Sequence, residues 1–228
     1  MHGHPETSRL PRLTCTLLHA AFVAVAVWLY FGGGAVALGS WFGWTDPVRG
    51  DTGRLLVLTG FAALTFVRIL LTFFVLLERK FPWEEFWGVT FALLVYQVGF
   101  ALFGMGAAAP LGVLDVVAVV GFLLGSYLNT GSELQRKRFK AEPRNRGKLY
   151  TGGLFRRVRH VNYLGDLLWV TAWAVVTRSA WALVIPLVLG LGFVYYFIPP
   201  LHRHLESKYG AEFEDWRARS KALIPFVY

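Results

Sequence analysis

The stretch Phe86–Leu114, FWGVTFALLVYQVGFALFGMGAAAPLGVL, runs for 29 residues without a charged side chain. In a helix it outreaches the ~30 Å hydrocarbon core of a bilayer. It has no alternation of polar and apolar residues, so a barrel strand is excluded. In lipid every backbone polar group needs a partner within the protein, which leaves a membrane helix. Residues 13–45 and 179–202 are uncharged in the same way. Three further runs carry one interruption each: 55–77 by Arg68, 110–132 by Asp115 and 161–177 by Asp166. The reading is an all-α, polytopic membrane helical bundle. Its six transmembrane helices are expected near 14–38, 54–78, 86–107, 111–130, 161–178 and 181–200. The first run is taken as a span because it is too long for a signal peptide, and Gly32-Gly33-Gly34 lies inside it. The whole is read as one membrane-embedded domain, with a four-helix part over 1–130 and a C-terminal part over 131–228.

Composition agrees. Hydrophobic residues make up 55% and charged residues 16%, against ~25% charged in soluble domains, which argues against a soluble or disordered chain. The single cysteine, Cys15, allows no intrachain disulfide and no cysteine zinc site. No metal is expected. No phosphate loop, nucleophile elbow or dinucleotide-binding glycine motif of a soluble fold is present.

The net charge of +9 is concentrated in one segment. From Glu133 to Arg159 ten cations face two carboxylates, Glu133 and Glu142, a surplus of eight. Positive loops stay inside, so this one is read as cytoplasmic, both termini with it, and the cation-poor loops near 39–53 and 107–110 as external. Such a loop can serve orientation and anionic-lipid attraction alone, or it can cradle a phosphate-bearing ligand. Nothing interleaves aromatics with base-reading side chains, so nucleic acid is not expected. No obligate protein partner is inferred.

Within the loop, Arg136 and Lys140 share a helix face on an extension of the fourth span. At the mouth of the fifth span, Arg159-His160-Val161-Asn162-Tyr163-Leu164-Gly165-Asp166 gathers a cation, an imidazole, an amide, a phenol and a carboxylate. Asp166 lies about one turn inside the helix, where a carboxylate needs a partner or a role. Arg68 and Asp115 also need partners and could pair with each other. In the tail, Leu205, Tyr209, Phe213 and Trp216 recur at helical spacing and are read as one face. The apolar end Leu223–Tyr228 is expected to tuck back onto the bundle.

Three stretches resemble the superfamily of integral-membrane sterol reductases, steroid 5α-reductases and isoprenylcysteine carboxyl methyltransferases. They are Gly152-Gly153-Leu154-Phe155 with Arg159-His160-Val161-Asn162-Tyr163-Leu164-Gly165-Asp166-Leu167-Leu168, then Ser207-Lys208-Tyr209-Gly210, then Phe213-Glu214-Asp215-Trp216 with Lys221-Ala222-Leu223-Ile224-Pro225-Phe226. The resemblance covers about residues 130–228 and is stronger to the reductases. It implies a cytoplasmic cap that binds NADPH and a lipidic substrate that enters from the membrane. The implied cofactor contacts are Arg68, Arg136, Lys140, Tyr150, Phe155, Arg159, His160, Asn162, Tyr163, Leu205, Glu206, Ser207, Lys208 and Tyr209. Asp166 matches an acidic residue that delivers or relays a proton. Val161 stands in place of a proline, Leu201 in place of an acid and Trp216 in place of a tyrosine. Thr65 stands where an acid-donating tyrosine is placed, and Tyr96 is the polar residue that could substitute for it.

The alternative is an S-adenosylmethionine-dependent methyltransferase. Its sulfonium needs a nearby carboxylate, and Leu201 and His202 stand where that pattern places acids. A carbon–carbon double-bond reductase is therefore the preferred reading. Sterol, steroid enone, polyprenol and enoyl chains all remain open as substrates. A bacterial inner membrane and an endoplasmic reticulum membrane both fit, and the alanine-, glycine- and arginine-rich, lysine-poor composition leans to the former.

Overall fold

A computed structural model describes residues 8–43 and 49–228. Residues 44–48, within the loop expected near 39–53, lie outside that description, as do residues 1–7. Five helices are long and apolar enough to cross a membrane: Arg9–Phe31, Thr52–Leu76, Trp83–Gly104, Val113–Ala141 and Ala180–Tyr209. In chain order the elements are α1 Arg9–Phe31, α2 Gly34–Trp41, α3 Thr52–Leu71, α4 Trp83–Leu94, α5 Phe100–Gly104, α6 Val113–Ala141, α7 Val161–Val176, α8 Val184–Gly192, α9 Ile198–Tyr209 and α10 Ala211–Arg219. Single π-helical turns extend α3 over Thr72–Leu76, join α4 to α5 over Val95–Gly99, and join α8 to α9 over Phe193–Phe197.

The helical bundle stands, with three local corrections. The first span is not continuous over 14–38: α1 ends at Phe31, Gly33 takes φ +82°, and a separate short helix follows. The fifth apolar segment forms a helix of only 16 residues, about 24 Å at helical rise, shorter than a full crossing. The tail does not form one helix, because Gly210 at φ +50° divides α9 from α10. Leu205, Tyr209, Phe213 and Trp216 nonetheless meet in one apolar cluster with Phe155, Val158 and Val161.

The described chain divides into two compact units. One runs up to Val119 and takes in Trp173–Leu183; the other comprises Val120–Ala172 and Val184–Tyr228.

In the first unit, α1 packs against α3 and α4. Cys15, Phe73, Phe81, Phe86 and Leu93 form an apolar cluster. At one end Arg54, wholly buried, pairs with Asp115 at 2.5 Å and 3.1 Å and donates to the carbonyls of Ala109, Pro110 and Val176. Arg178 donates to the second Asp115 oxygen at 2.7 Å, and the Gly112 N–H donates to it at 2.9 Å. Asp115 is therefore not paired with Arg68. Arg54 and Arg178 take both carboxylate oxygens, as a buried carboxylate requires.

In the second unit, α6 and α7 touch through glycine. A Cβ on Gly165 would lie 2.5 Å from the Asn129 backbone nitrogen and 2.6 Å from the Gly125 carbonyl. Small residues at a crossing let membrane helices approach this closely, which brings Asn129 to Asp166. The segment after α10 pairs in parallel with the stretch before α7: Lys221 N–H donates to Arg157 O, Arg159 N–H to Lys221 O and His160 N–H to Ala222 O, at 2.8 Å to 3.0 Å. Ala222 and Leu223 are buried with Phe193 and Ile198. The expected tuck stops there, since Ile224, Phe226, Val227 and Tyr228 are exposed.

Candidate functional site

The basic extension of α6 and the two tail helices enclose a cleft within the second unit. Its lining is Arg136 and Lys140 from α6; Leu149, Tyr150, Phe155, Arg159 and His160 from the connecting segment; Asn162 from α7; Leu201, Leu205 and Tyr209 from α9; and Trp216 from α10. No carboxylate of the described residues lines it.

Local sequence builds each wall. Gly153 starts a tight turn at φ +53°, and a Cβ there would meet Gln135 Oε1 at 2.2 Å, so only glycine fits. The turn lets the Leu154 N–H donate to Gln135 Oε1 at 3.0 Å. It also buries Phe155, whose carbonyl accepts from Trp216 Nε1 at 3.0 Å. Tyr150 packs edge-on to Phe155 at 5.7 Å and also meets Phe139 at 4.8 Å. The Arg136 guanidinium lies 5.9 Å above the Phe155 ring and pairs with Glu133. Glu212, on α10, accepts from the Leu149 N–H at 3.1 Å and ties α10 to the connecting segment.

Arg159 is buried and donates to the carbonyls of Ser220 at 2.6 Å and Arg217 at 3.2 Å. Its role in the cleft wall is to fasten the tail. Burial first, then the neighbouring Arg217 charge, pushes its pKa down. His160 Nε2 lies 2.8 Å from His202 Nε2, and Arg159 Nε lies 3.5 Å from that same His202 atom. A guanidinium only donates, so His202 Nε2 must accept and His160 Nε2 must carry the proton. Burial pushes the His160 pKa down to about 3, with His202, Arg159 and Arg136 lowering it further. His160 is thus a neutral, stacked wall residue, flat against Tyr163 and His202.

Of the residues the sequence singles out, Arg136, Lys140, Tyr150, Phe155, Arg159, His160, Asn162, Leu205 and Tyr209 line this one cleft. Tyr163 lies behind His160 and stacks on Phe193 at 4.4 Å. Glu206, Ser207 and Lys208 are exposed on α9 and do not line the cleft. Asp166 does not line it either; its Oδ1 accepts from Asn129 Nδ2 at 2.9 Å and Trp169 Nε1 at 2.8 Å. Arg68, in the last turn of α3, and Tyr96, stacked on Phe100 in a π-helical turn, belong to the first unit.

Leu149, Gln135, Asn129 and the His160–His202 contact were not readable as site features. Their partners are 15 or more residues away, and no spacing rule reaches that far.

The first unit holds a different polar group. Gln97 Nε2 donates to the Ala62 carbonyl at 3.3 Å and lies 2.8 Å from His19 Nε2. The same amide group therefore faces both, so His19 Nε2 accepts and Nδ1 carries the proton. His19 Nδ1, Gln97 Oε1 and Thr65 Oγ1 are buried without a hydrogen-bond partner among the described residues. These are three unsatisfied polar atoms buried in the first unit.

The cavity of the cationic cleft is about 90 Å³. This is room for a phosphate group and not for a whole dinucleotide. The residues themselves fit a phosphate-bearing cofactor: two basic side chains from α6, a guanidinium behind them and flat aromatic walls.

A family model described as a protein of unknown function, DUF1295, matches residues 65–220. The steroid 5-alpha-reductase DET2 of Arabidopsis thaliana is 36% identical over 117 residues, covering 50% of this chain and 42% of that protein. The delta(14)-sterol reductase erg24 of Schizosaccharomyces pombe is 32% identical over 143 residues, covering 52% of this chain and 32% of that protein. The probable O-methyltransferase ustE of Ustilaginoidea virens is 48% identical over 48 residues, covering 21% of this chain and 17% of that protein. The chain matches less than half the length of each of these curated relatives.

Proposed function

The chain belongs to the DUF1295 family, in a superfamily that includes steroid and sterol reductases, and from that premise we propose that it is a membrane-bound, NADPH-dependent reductase of a carbon–carbon double bond in a steroid, sterol or other lipid. The observation that carries the proposal is the cleft's lining, which gathers Arg136, Lys140 and Arg159 and includes no carboxylate among the described residues. A nicotinamide dinucleotide brings phosphate anions to such a lining and, when bound, supplies the hydride equivalent. Arg136 and Lys140 would neutralise its phosphates, and Phe155, Tyr150 and Trp216 would exclude water along its flat parts.

Asp166 is assigned the proton relay, its carboxylate held in one orientation by Asn129 and Trp169. Tyr96 is the alternative donor. The His19–Gln97 pair, with its unsatisfied Nδ1 and Oε1, is assigned the oxygen function of the substrate. By its loop charge, the cleft is assigned to the cytoplasmic side of the membrane.

The short match to a probable O-methyltransferase favours a second reading, S-adenosylmethionine-dependent methyl transfer to a lipid. A sulfonium in this lining would lie among cations without a counter-carboxylate, which is why the reductase reading is preferred. Titration of the full chain in detergent separates the two. Saturable binding of NADPH, and none of S-adenosylmethionine, is expected; the reverse pattern overturns the proposal. Lipid extracts incubated with enzyme and NADPH should show a product heavier by two hydrogens. Asp166→Asn should keep NADPH affinity and lose turnover, whereas Tyr96→Phe should do so if Tyr96 is the donor.

A further inference from the structure

The second unit carries another cationic cavity that shares no residue with the cleft. It measures about 480 Å³ and is lined by Arg157, Arg217, Arg219 and Lys221 beside Pro225 and Phe226. No carboxylate side chain of the described residues lines it. Arg217 has a loose partner in Glu214 at 3.5 Å, both about half exposed, a pairing that contributes little in water.

Beside these cations stand large apolar side chains turned out of the protein. Phe226 is 80% exposed and Val227 is 73% exposed. Phe226 also adopts φ +67°, left-handed backbone that L residues avoid. The turn around it is closed by the N–H groups of Leu223 and Ile224, which donate to the main-chain oxygen of Tyr228 at 2.7 Å and 2.8 Å. A strained turn that holds an aromatic ring outward, next to four cations and outside the spanning helices, matches neither a core nor an ordinary soluble surface.

We propose that this cavity binds the phosphate headgroup of an anionic phospholipid, with Phe226 and Val227 set against the start of the acyl chains. Four cations without a lining carboxylate favour a headgroup of net negative charge over a zwitterionic one, which brings its own cation. A free phosphate or nucleotide would satisfy the cations equally but would leave Phe226 and Val227 in water. Only a lipid covers both.

The site also reaches the cleft through backbone. Lys221 N–H donates to Arg157 O, and the next pairings in that ladder hold Arg159 and His160, which line the cleft. Lipid bound to Arg157 and Lys221 would therefore clamp the pairing that supports the cleft wall. The proposal stands whichever cofactor the cleft takes.

The test titrates the full chain in detergent with phosphatidylglycerol, phosphatidylcholine and inorganic phosphate, read by native mass spectrometry, with unfolding temperature as the check on folding. Phosphatidylglycerol should bind saturably and phosphatidylcholine should not. The double variant R219Q/K221Q should weaken phosphatidylglycerol binding about thirtyfold at an unchanged unfolding temperature. Phe226→Gly removes the ring and relieves the backbone, so it should weaken lipid binding while holding or raising the unfolding temperature. Equal binding of the two lipids, unchanged binding in R219Q/K221Q, or inorganic phosphate displacing the lipid with Phe226→Gly without effect would each overturn it, the last by reducing the cavity to a free-anion site.

Discussion

Arginine serves two ends in this molecule. In the first unit Arg54 is wholly buried, and its guanidinium nitrogens are taken by Asp115 and by the carbonyls of Ala109, Pro110 and Val176. In the second unit Arg136 and Lys140 line a cavity with no carboxylate in its wall. In the first setting nothing is left over for a ligand, and the charge fastens the helix ends. In the second, positive charge lines a cavity. Count of basic residues does not separate these cases; whether the charge is packed into the protein or faces a cavity does.

The comparison is broken most directly at Asp115. Asp115→Ala leaves Arg54 buried beside an empty carboxylate site and should cost about 3–5 kcal/mol. Arg54→Met with Asp115→Leu should recover much of that loss. Thermal unfolding of the single and double variants in detergent checks it, and a double variant no better than the singles would show that the pair is not acting as a unit.

Next comes Gly165→Ala, whose Cβ would meet backbone atoms at 2.5 Å and 2.6 Å. It should cost about 1–3 kcal/mol and separate Asp166 from Asn129, read as lower unfolding temperature together with lost turnover. If stability holds, the helices yield more easily than their contact implies.

Arg136→Gln and Lys140→Gln should each weaken NADPH binding by about 2 kcal/mol, roughly thirtyfold, with little change in unfolding temperature. A fall in stability as large as that at Asp115 would erase the distinction between the two kinds of cation.

The most gradual effect is that of pH. The unfolded His160 titrates near ~6.5, and the folded one near about 3. Between those values the unfolded chain binds more protons. Stability is therefore fully present above about 6.5 and falls as pH drops toward 3, by at most ~1.4 kcal/mol per pH unit. His160→Phe should flatten that acid slope in unfolding titrations; an unaltered slope assigns it to other groups.

Much of this was legible in the sequence because length and charge act locally. The uncharged runs mark the helices, and the i, i+4 spacing of Arg136 and Lys140 brings them to one cleft. Partner choice was not legible. Asp115 and Arg68 are both isolated ionisable residues in apolar runs, yet Asp115 is met by Arg54 from the start of α3 and by Arg178 from beyond α7. Arg54 hid at a span boundary, where arginine is ordinary. Asp166 invited an arginine partner but found Asn129 and Trp169, because Gly125 and Gly165 let two helix backbones touch. The tail read as one amphipathic face, and its residues do meet in one cluster, although Gly210 divides the helix. Periodicity finds faces; it does not report where a chain turns.

Three π-helical turns lie in the long apolar helices, over Thr72–Leu76, Val95–Gly99 and Phe193–Phe197. Each is in effect an α-helix carrying one surplus residue. Removing a residue there would let the ladder close as ordinary α-helix, whereas the same deletion elsewhere would rotate everything beyond it by about 100°. Among relatives of this chain, single-residue length differences inside membrane helices should therefore gather at these three places, and the one at Val95–Gly99 would swing Gln97 away from His19 when it closes.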